Sequence, residues 1–168
     1  SRILAEPQRP QIEADLRPVT VLFAQVLGLE ALAEALPPVA AARAVQTYIG
    51  AMQAAVDQFG GMVNKLDVAD EGMKLVAIFG APAAYEDHAE RAARAALEMQ
   101  TRMAAVNQQI AAETCELRQR IGLNLGTAFA GNVGSDVRKE YTVMGDAVNV
   151  AARVMSKAAW GQVWCSEA

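Results

Sequence analysis

The sequence predicts an α+β fold with a ferredoxin-like βαββαβ core. In this fold a mostly antiparallel sheet carries helices on one face, and additional βαβ elements follow the core. Three features of the sequence predict it. Short, β-branched apolar runs alternate with longer segments of helical period. A four-residue polar segment joins two of the apolar runs. Glycine and proline mark most of the boundaries between segments.

The predicted strands begin after a linker over residues 1–17, where prolines interrupt helix and the charges have no period. The nearly continuous apolar run 19–27 predicts a strand that is covered on both faces. Two further runs with the polar turn 69–72 between them predict a β-hairpin. The remaining predicted strands are 118–133, 140–144 and 162–165.

The predicted helices are separated from the strands by recognisable start and stop signals. Pro37 and Pro38 divide a short helix from a longer one, which Gly60 and Gly61 end. Asp146 is expected to cap the last helix. The four predicted helices are 30–36, 38–59, 86–112 and 147–158.

Composition limits the classes of function. The 168 residues are 53% hydrophobic and 20% charged, which is a globular balance. A net charge of −4 gives no electrostatic reason to expect nucleic acid or an anionic membrane as a partner. The two cysteines are far apart, and the start of the chain has no secretory pattern, so a cytoplasmic location is expected.

The junction between the predicted strand 140–144 and the helix after it is the most informative segment. Asn149 and Arg153 are four residues apart and therefore share a helix face. An amide and a guanidinium beside a helix N-terminus suit a ribose hydroxyl and a phosphate. Residue types alone favour the alternative interpretation, an ordinary surface Asn and Arg.

The residues 145–153, Gly-Asp-Ala-Val-Asn-Val-Ala-Ala-Arg, match a complete signature of the class III adenylate and guanylate cyclases. Ordered similarities at 21–24, 79–82 and 121–126 support this resemblance, which covers the chain from about residue 19 to residue 166. The resemblance implies a cyclase homology domain over residues 18–168, truncated before the C-terminal hairpin of the family. It also implies conversion of ATP to cyclic AMP and pyrophosphate.

The resemblance further implies roles for individual residues. Asn149 would orient the ribose, and Arg153 would stabilise charge on the phosphates in the transition state. Thr142 resembles the adenine-type group at the purine-reading position. Lys65 would pair with it, and Val143 would contact the base through its backbone. The alternative for Lys65 is an exposed strand lysine.

The pattern breaks at the two metal-binding aspartates of the family. Gln25 and Met73 occupy those positions, and neither an amide nor a thioether is a good ligand for Mg²⁺. Mg²⁺ or Mn²⁺ is therefore expected only through a partner half. The hairpin is also longer than usual, and its acidic residues are either replacement ligands or a solvated tip. These residues are Asp67, Asp70 and Glu71.

In both respects, the missing aspartates and the longer hairpin, the chain resembles the metal-free second half of soluble-type tandem adenylate cyclases. We therefore expect a half-domain that contributes the nucleotide contacts at a hetero- or pseudo-homodimer interface and is inactive alone. The alternative is a pseudocyclase, a regulatory dimerisation module that binds a nucleotide or an anion such as bicarbonate. An RNA-binding module ranks last, since 5% aromatic content and the acidic charge disfavour it.

Two further features remain outside this interpretation. His88, the single histidine, is expected at the surface, because neither a cysteine nor a second histidine stands at ligand spacing. Residues 131–139 resemble a dimer-facing arm of the family, and an ordinary mobile loop is an equal alternative.

Overall fold

The computed structural model describes residues 11–69, 72–110, 116–135 and 138–167. The strands are β1 (Gln11–Leu27), β2 (Met62–Ala69), β3 (Gly72–Phe79), β4 (Arg118–Ser135), β5 (Arg138–Met144) and β6 (Val163–Cys165). The helices are α1 (Leu29–Ala35), α2 (Pro38–Gln58), α3 (His88–Ile110) and α4 (Asp146–Lys157). The predicted order of elements is confirmed, and most boundaries agree within two residues.

The strands form one sheet in the order β2-β3-β1-β4-β5. All neighbours along this path are antiparallel, and β6 adds to β4 in parallel. The predicted α+β class with a mostly antiparallel sheet is confirmed. β2 and β5 end the strand order, yet they approach one another, so the sheet is strongly curved.

The larger core lies between the sheet and the first three helices. Alternate residues of β1, Leu22, Ala24 and Val26, face this side, as the period of a strand requires. The alanine-rich α3 packs closely there through Ala92, Ala95, Ala96 and Met99.

A second, smaller core lies on the opposite face of the sheet. Val19, Val21 and Ile78 contribute to it from the strands, and α4 covers it with Ala147 and Ala151. The core helices α1–α3 share one face as predicted, whereas α4 lies on the other. The sequence signal for this difference is weak, because an amphipathic helix does not specify which face of a sheet it covers.

β1 begins at Gln11, eight residues before the predicted strand. The predicted linker includes residues 11–17, but these residues pair with β4 along their length. Pro18 is tolerated within the strand because β3 pairs with β1 only from Thr20 onward, so Pro18 has a strand on one side alone. The rest of the predicted linker, residues 1–10, lies outside the described part of the chain.

His88 is buried, and the prediction of a surface histidine is wrong. It is the first residue of α3, and its Nδ1 forms a hydrogen bond with the Thr20 hydroxyl of β1 at 2.8 Å. Burial lowers the pKa of His88 below its usual value of 6.5, while the nearby Asp87 opposes this shift. Burial in the folded chain therefore favours the neutral imidazole.

The stability of the chain should depend on pH through His88. The folded state has the lower pKa, so the unfolded state binds more protons once the pH falls below 6.5. Stability is then complete above that pH and declines as the pH falls towards 5. Urea unfolding of the wild type and of His88→Gln at pH 7, 6 and 5 tests this.

We expect the His88→Gln variant to lose about 1 kcal/mol at pH 7, through the bond to Thr20, and to have a flatter pH dependence. Parallel pH curves for the two proteins would contradict the assignment.

Candidate functional site

The strand-to-helix junction places the candidate nucleotide contacts. β5 ends at Met144, Gly145 turns the chain, and α4 begins at Asp146. Gly145 has a φ of 141°, a backbone conformation that other residues rarely adopt. Gly145 rather than Asp146 is the N-cap residue, and no side-chain hydrogen bond caps the helix. The predicted capping role of Asp146 is therefore wrong, although its charge in the first turn favours the helix dipole.

The outward face of α4 carries Asp146, Asn149 and Arg153, which are spaced at helical intervals and exposed. Nη2 of Arg153 lies 3.6 Å from Oδ1 of Asp146, and both side chains are more than 60% exposed. This surface ion pair is weak and can be replaced by another anion. The face thus presents an amide and a guanidinium to any molecule that binds on this side of α4.

The inward face of α4 lies directly on β4. A Cβ atom at Gly122 would overlap the backbone nitrogen of Met155 and lie 2.7 Å from the carbonyl oxygen of Ala151. A Cβ at Gly126 would lie 2.9 Å from that of Ala147. The two glycines therefore allow the backbone of α4 to approach the strand closely.

Asn124, between these glycines, is buried and bonds in two directions. Its Nδ2 donates to the carbonyl oxygen of Ala147 at 2.9 Å, and its Oδ1 accepts from the Ser166 hydroxyl at 2.7 Å. It joins the start of α4 to the segment after β6. Asn124 is not among the predicted site residues, although its place midway between two glycines on one strand face is a usable signal.

The candidate purine contacts lie on β2 and β5. Lys65 is exposed and forms an ion pair with Asp67 at 3.3 Å. Thr142 donates a long bond of 3.5 Å to the carbonyl oxygen of Glu140. Val143 is buried in the smaller core. The two strands approach each other, but Lys65 and Thr142 have separate partners in the structure.

The positions of the family's metal ligands do not fit a divalent ion. Gln25 is buried, and its Oε1 accepts two hydrogen bonds from the guanidinium of Arg120. Met73 is buried in the larger core. A neutral amide held by a cation and a thioether in an apolar core are both unsuited to Mg²⁺. Among the described residues, no three His, Cys, Asp or Glu side chains are grouped to hold a metal.

The acidic residues of the hairpin are only partly described. Asp67 is half exposed and is paired with Lys65. Asp70 and Glu71, the other two suggested replacement ligands, lie outside the described residues. The hairpin itself forms as predicted, since residues 62–69 of β2 pair with residues 72–78 of β3.

The segment 131–135 is part of β4 and pairs with β5, which begins at residue 138, so these parts of the proposed arm are strand rather than loop. Residues 136 and 137 of the arm lie outside the described residues. Further along the same pair of strands, the neighbours Leu16, Phe129 and Met144 form a row across β1, β4 and β5. We call these three residues the apolar row. All three are exposed, which is unusual for apolar side chains that adjoin one another.

No helix within the described ranges has the length and apolar character needed to span a bilayer.

Comparison with known proteins gives a consistent result. The chain matches the adenylate and guanylate cyclase catalytic domain over residues 13–168. It is 34% identical over 137 residues to adenylate cyclase 1 of Rhizobium meliloti, covering 81% of this chain and 20% of that protein. It is 35% identical over 150 residues to an uncharacterised protein of Mycobacterium tuberculosis, covering 89% of this chain and 26% of that protein.

Two solved structures are similar over most of the chain. The crystal structure of the guanylyl cyclase Cya2 has a TM-score of 0.81 at 32% identity and covers 91% of this chain and 76% of that chain. The adenylyl cyclase CyaB from P. aeruginosa has a TM-score of 0.82 at 29% identity, with 92% and 79% covered.

The chain spans about a quarter or less of the length of the curated relatives it matches. Within that span the agreement extends from β1 to the residues after β6, and it includes the junction that carries Asn149 and Arg153. The chain therefore belongs to the family of adenylate and guanylate cyclase catalytic domains.

Proposed function

We propose that this chain is the nucleotide-contacting half of a composite adenylate cyclase site, which becomes complete only when a second cyclase half supplies the metal ions. The observation that carries the proposal is a contrast within one domain. The outward face of α4 retains Asn149 and Arg153, whereas an amide tied to an arginine and a buried thioether occupy the two metal positions.

The outward face of α4 supports the assignment of roles. The side chain of Asn149 can accept and donate hydrogen bonds, which suits the hydroxyls of a ribose. The planar donors of the Arg153 guanidinium match phosphate oxygens. Its present partner, Asp146, is exposed and 3.6 Å away, so a phosphate can take its place at little cost.

The base would lie between β2 and β5. Lys65 and the Thr142 hydroxyl offer donors there, which suits the ring nitrogens of adenine better than the guanine edge. The mutual approach of the two strands supports this placement. In the absence of nucleotide Lys65 pairs with Asp67, and at its exposed position that pair contributes little.

A partner half is part of the proposal for two reasons. A metal ion bound by the partner would neutralise the phosphates and lower the pKa of the attacking 3′-hydroxyl, and this chain has no suitable ligands at its own metal positions. The apolar row of Leu16, Phe129 and Met144 is exposed next to the junction, as expected of a surface that another domain covers.

An activity assay on separated and mixed halves tests the proposal. The purified chain should form no cyclic AMP from Mg-ATP or Mn-ATP. Mixing it with a cyclase domain that carries both metal-binding aspartates should produce turnover above that of the partner alone. Turnover by this chain alone would contradict the proposal and would direct attention to the acidic hairpin.

A mixture that binds ATP, forms a dimer and remains inactive would instead favour the regulatory module.

A further inference from the structure

We infer that Arg120 is a positioning residue for α4, and that Gln25, at the family's metal-ligand position, is the acceptor that holds it. In this chain the former metal position has become part of a support beneath the helix that bears Asn149 and Arg153. The structural part of this inference stands by itself, and its effect on turnover rests on the proposed function.

The guanidinium of Arg120 is held on two sides. Nε and Nη2 donate to Oε1 of Gln25 at 3.0 and 2.7 Å. Nη1 donates to the carbonyl oxygens of Ser156 and Ala158 at 3.2 and 3.4 Å. Gln25 is only 1% exposed, so the acceptor is itself fixed within the sheet. Arg120 therefore ties β1 and β4 to the C-terminal end of α4.

The surroundings of this arginine reinforce the link. Its guanidinium carbon lies 4.6 Å from the centre of the Trp160 ring, just beyond the end of α4. Helix ends leave carbonyl groups without partners, and a cation there also favours the helix dipole. Arg120 supplies both hydrogen bonds and charge at the same place. The bonds to Gln25 prevent the long side chain from moving away.

Arg120 completes a pattern along one face of β4. Positions 120, 122, 124 and 126 all face α4. The arginine at 120 and the asparagine at 124 form hydrogen bonds with the helix backbone. The glycines at 122 and 126 allow the helix to lie close to the strand. Arg153 lies three residues before Ser156, whose hydroxyl donates to the Arg153 carbonyl oxygen at 2.7 Å. A shift of the helix end therefore moves Arg153 directly, and shifts of about 1 Å are enough to impair catalysis.

Hydrogen–deuterium exchange of the intact chain tests the structural part. In Arg120→Leu, the amides of the last two turns of α4 should exchange about tenfold faster, because charge-assisted bonds to the helix end are lost. The amides of α2 and α3 should be unchanged. Arg118→Leu is the matched control, since Arg118 is an exposed arginine two residues earlier on the same strand.

Variants at Gln25 distinguish the effect of the hydrogen bonds between Gln25 and Arg120 from the effect of simple packing. Gln25→Leu should reproduce part of the effect on α4, and Gln25→Glu, which keeps an acceptor oxygen, should restore slow exchange. Adding Gln25→Leu to Arg120→Leu should change little more, since both act through one interaction. If Arg120→Leu does not fold, Arg120→Lys, which cannot reach both sides at once, takes its place. Unchanged exchange in α4, or an equal rise in all helices, would overturn the inference.

The effect on turnover is measured in the mixture of this chain with a cyclase domain that carries both metal-binding aspartates. Arg120→Leu should lower kcat about tenfold or more while the KM for ATP changes less than threefold, because the base contacts lie on other elements. A KM effect without a kcat effect would overturn the link to Arg153. An inactive wild-type mixture would refute the proposed function, and the exchange result would still decide the role of Arg120.

Discussion

Replacing Arg153 by alanine should lower the kcat of the mixed assembly by about 10²–10³-fold, the usual loss when a preorganised donor to developing charge is removed. The guanidinium is exposed on α4, and its ion pair with Asp146 is weak. Because its removal leaves no buried group unsatisfied, the fold should be unaffected. Steady-state cyclic AMP formation at saturating metal, together with a thermal melt of the variant alone, measures both quantities.

The Asn149→Ala variant should lose about 10- to 100-fold in kcat through misorientation of the ribose. Arg94→Ala is the matched control, since Arg94 is another exposed arginine on a helix, paired with Glu90. It should leave turnover unchanged. If the Arg153 and Asn149 variants kept full activity, the roles assigned to the outward face of α4 would be wrong.

Gly122→Ala should destabilise the chain by about 2–3 kcal/mol, as expected for a methyl group forced into a packed site. The new Cβ would meet backbone atoms of Met155 and Ala151, so relief requires a shift of α4 itself rather than of a side chain. Cyclic AMP formation by the mixture should also fall, because Arg153 belongs to the helix that is displaced. Urea unfolding and the mixed assay measure the two effects.

The same substitution at Gly50 provides a matched control. Gly50 lies inside α2, and a Cβ there would meet nothing within 4 Å. Gly50→Ala should therefore stabilise the chain by about 0.5–1 kcal/mol through helix propensity. Equal behaviour of the two alanine variants would mean that α4 does not depend on its close approach to β4.

Local patterns in the sequence predicted most of the fold. Apolar runs, prolines and glycines gave the hairpin and the break between α1 and α2, because each reflects the backbone preferences of neighbouring residues. The start of β1 was missed because residues 11–17 look irregular by themselves. Their strand conformation depends on pairing with β4, more than a hundred residues away in sequence.

Long-range contacts explain which parts of the site could not be predicted from the sequence. The motif 145–153 identified Asn149 and Arg153, and their spacing placed them on one helix face. Nothing local showed that Gln25 and Arg120, 95 residues apart, would bond to each other. The burial of His88 against Thr20 is similar, since the two residues are 68 positions apart. Such contacts follow from topology and not from spacing.

In the proposed assembly this chain provides the nucleotide contacts and its partner provides the metal ions. The most direct measurement pairs this chain with a cyclase domain that keeps both metal-binding aspartates but has lost its own helix arginine. Such a mixture can complete a site only with Arg153. We predict metal-dependent cyclic AMP formation with the wild-type chain and none with Arg153→Ala. A dimer that forms but makes no cyclic AMP with the wild-type chain would contradict the claim.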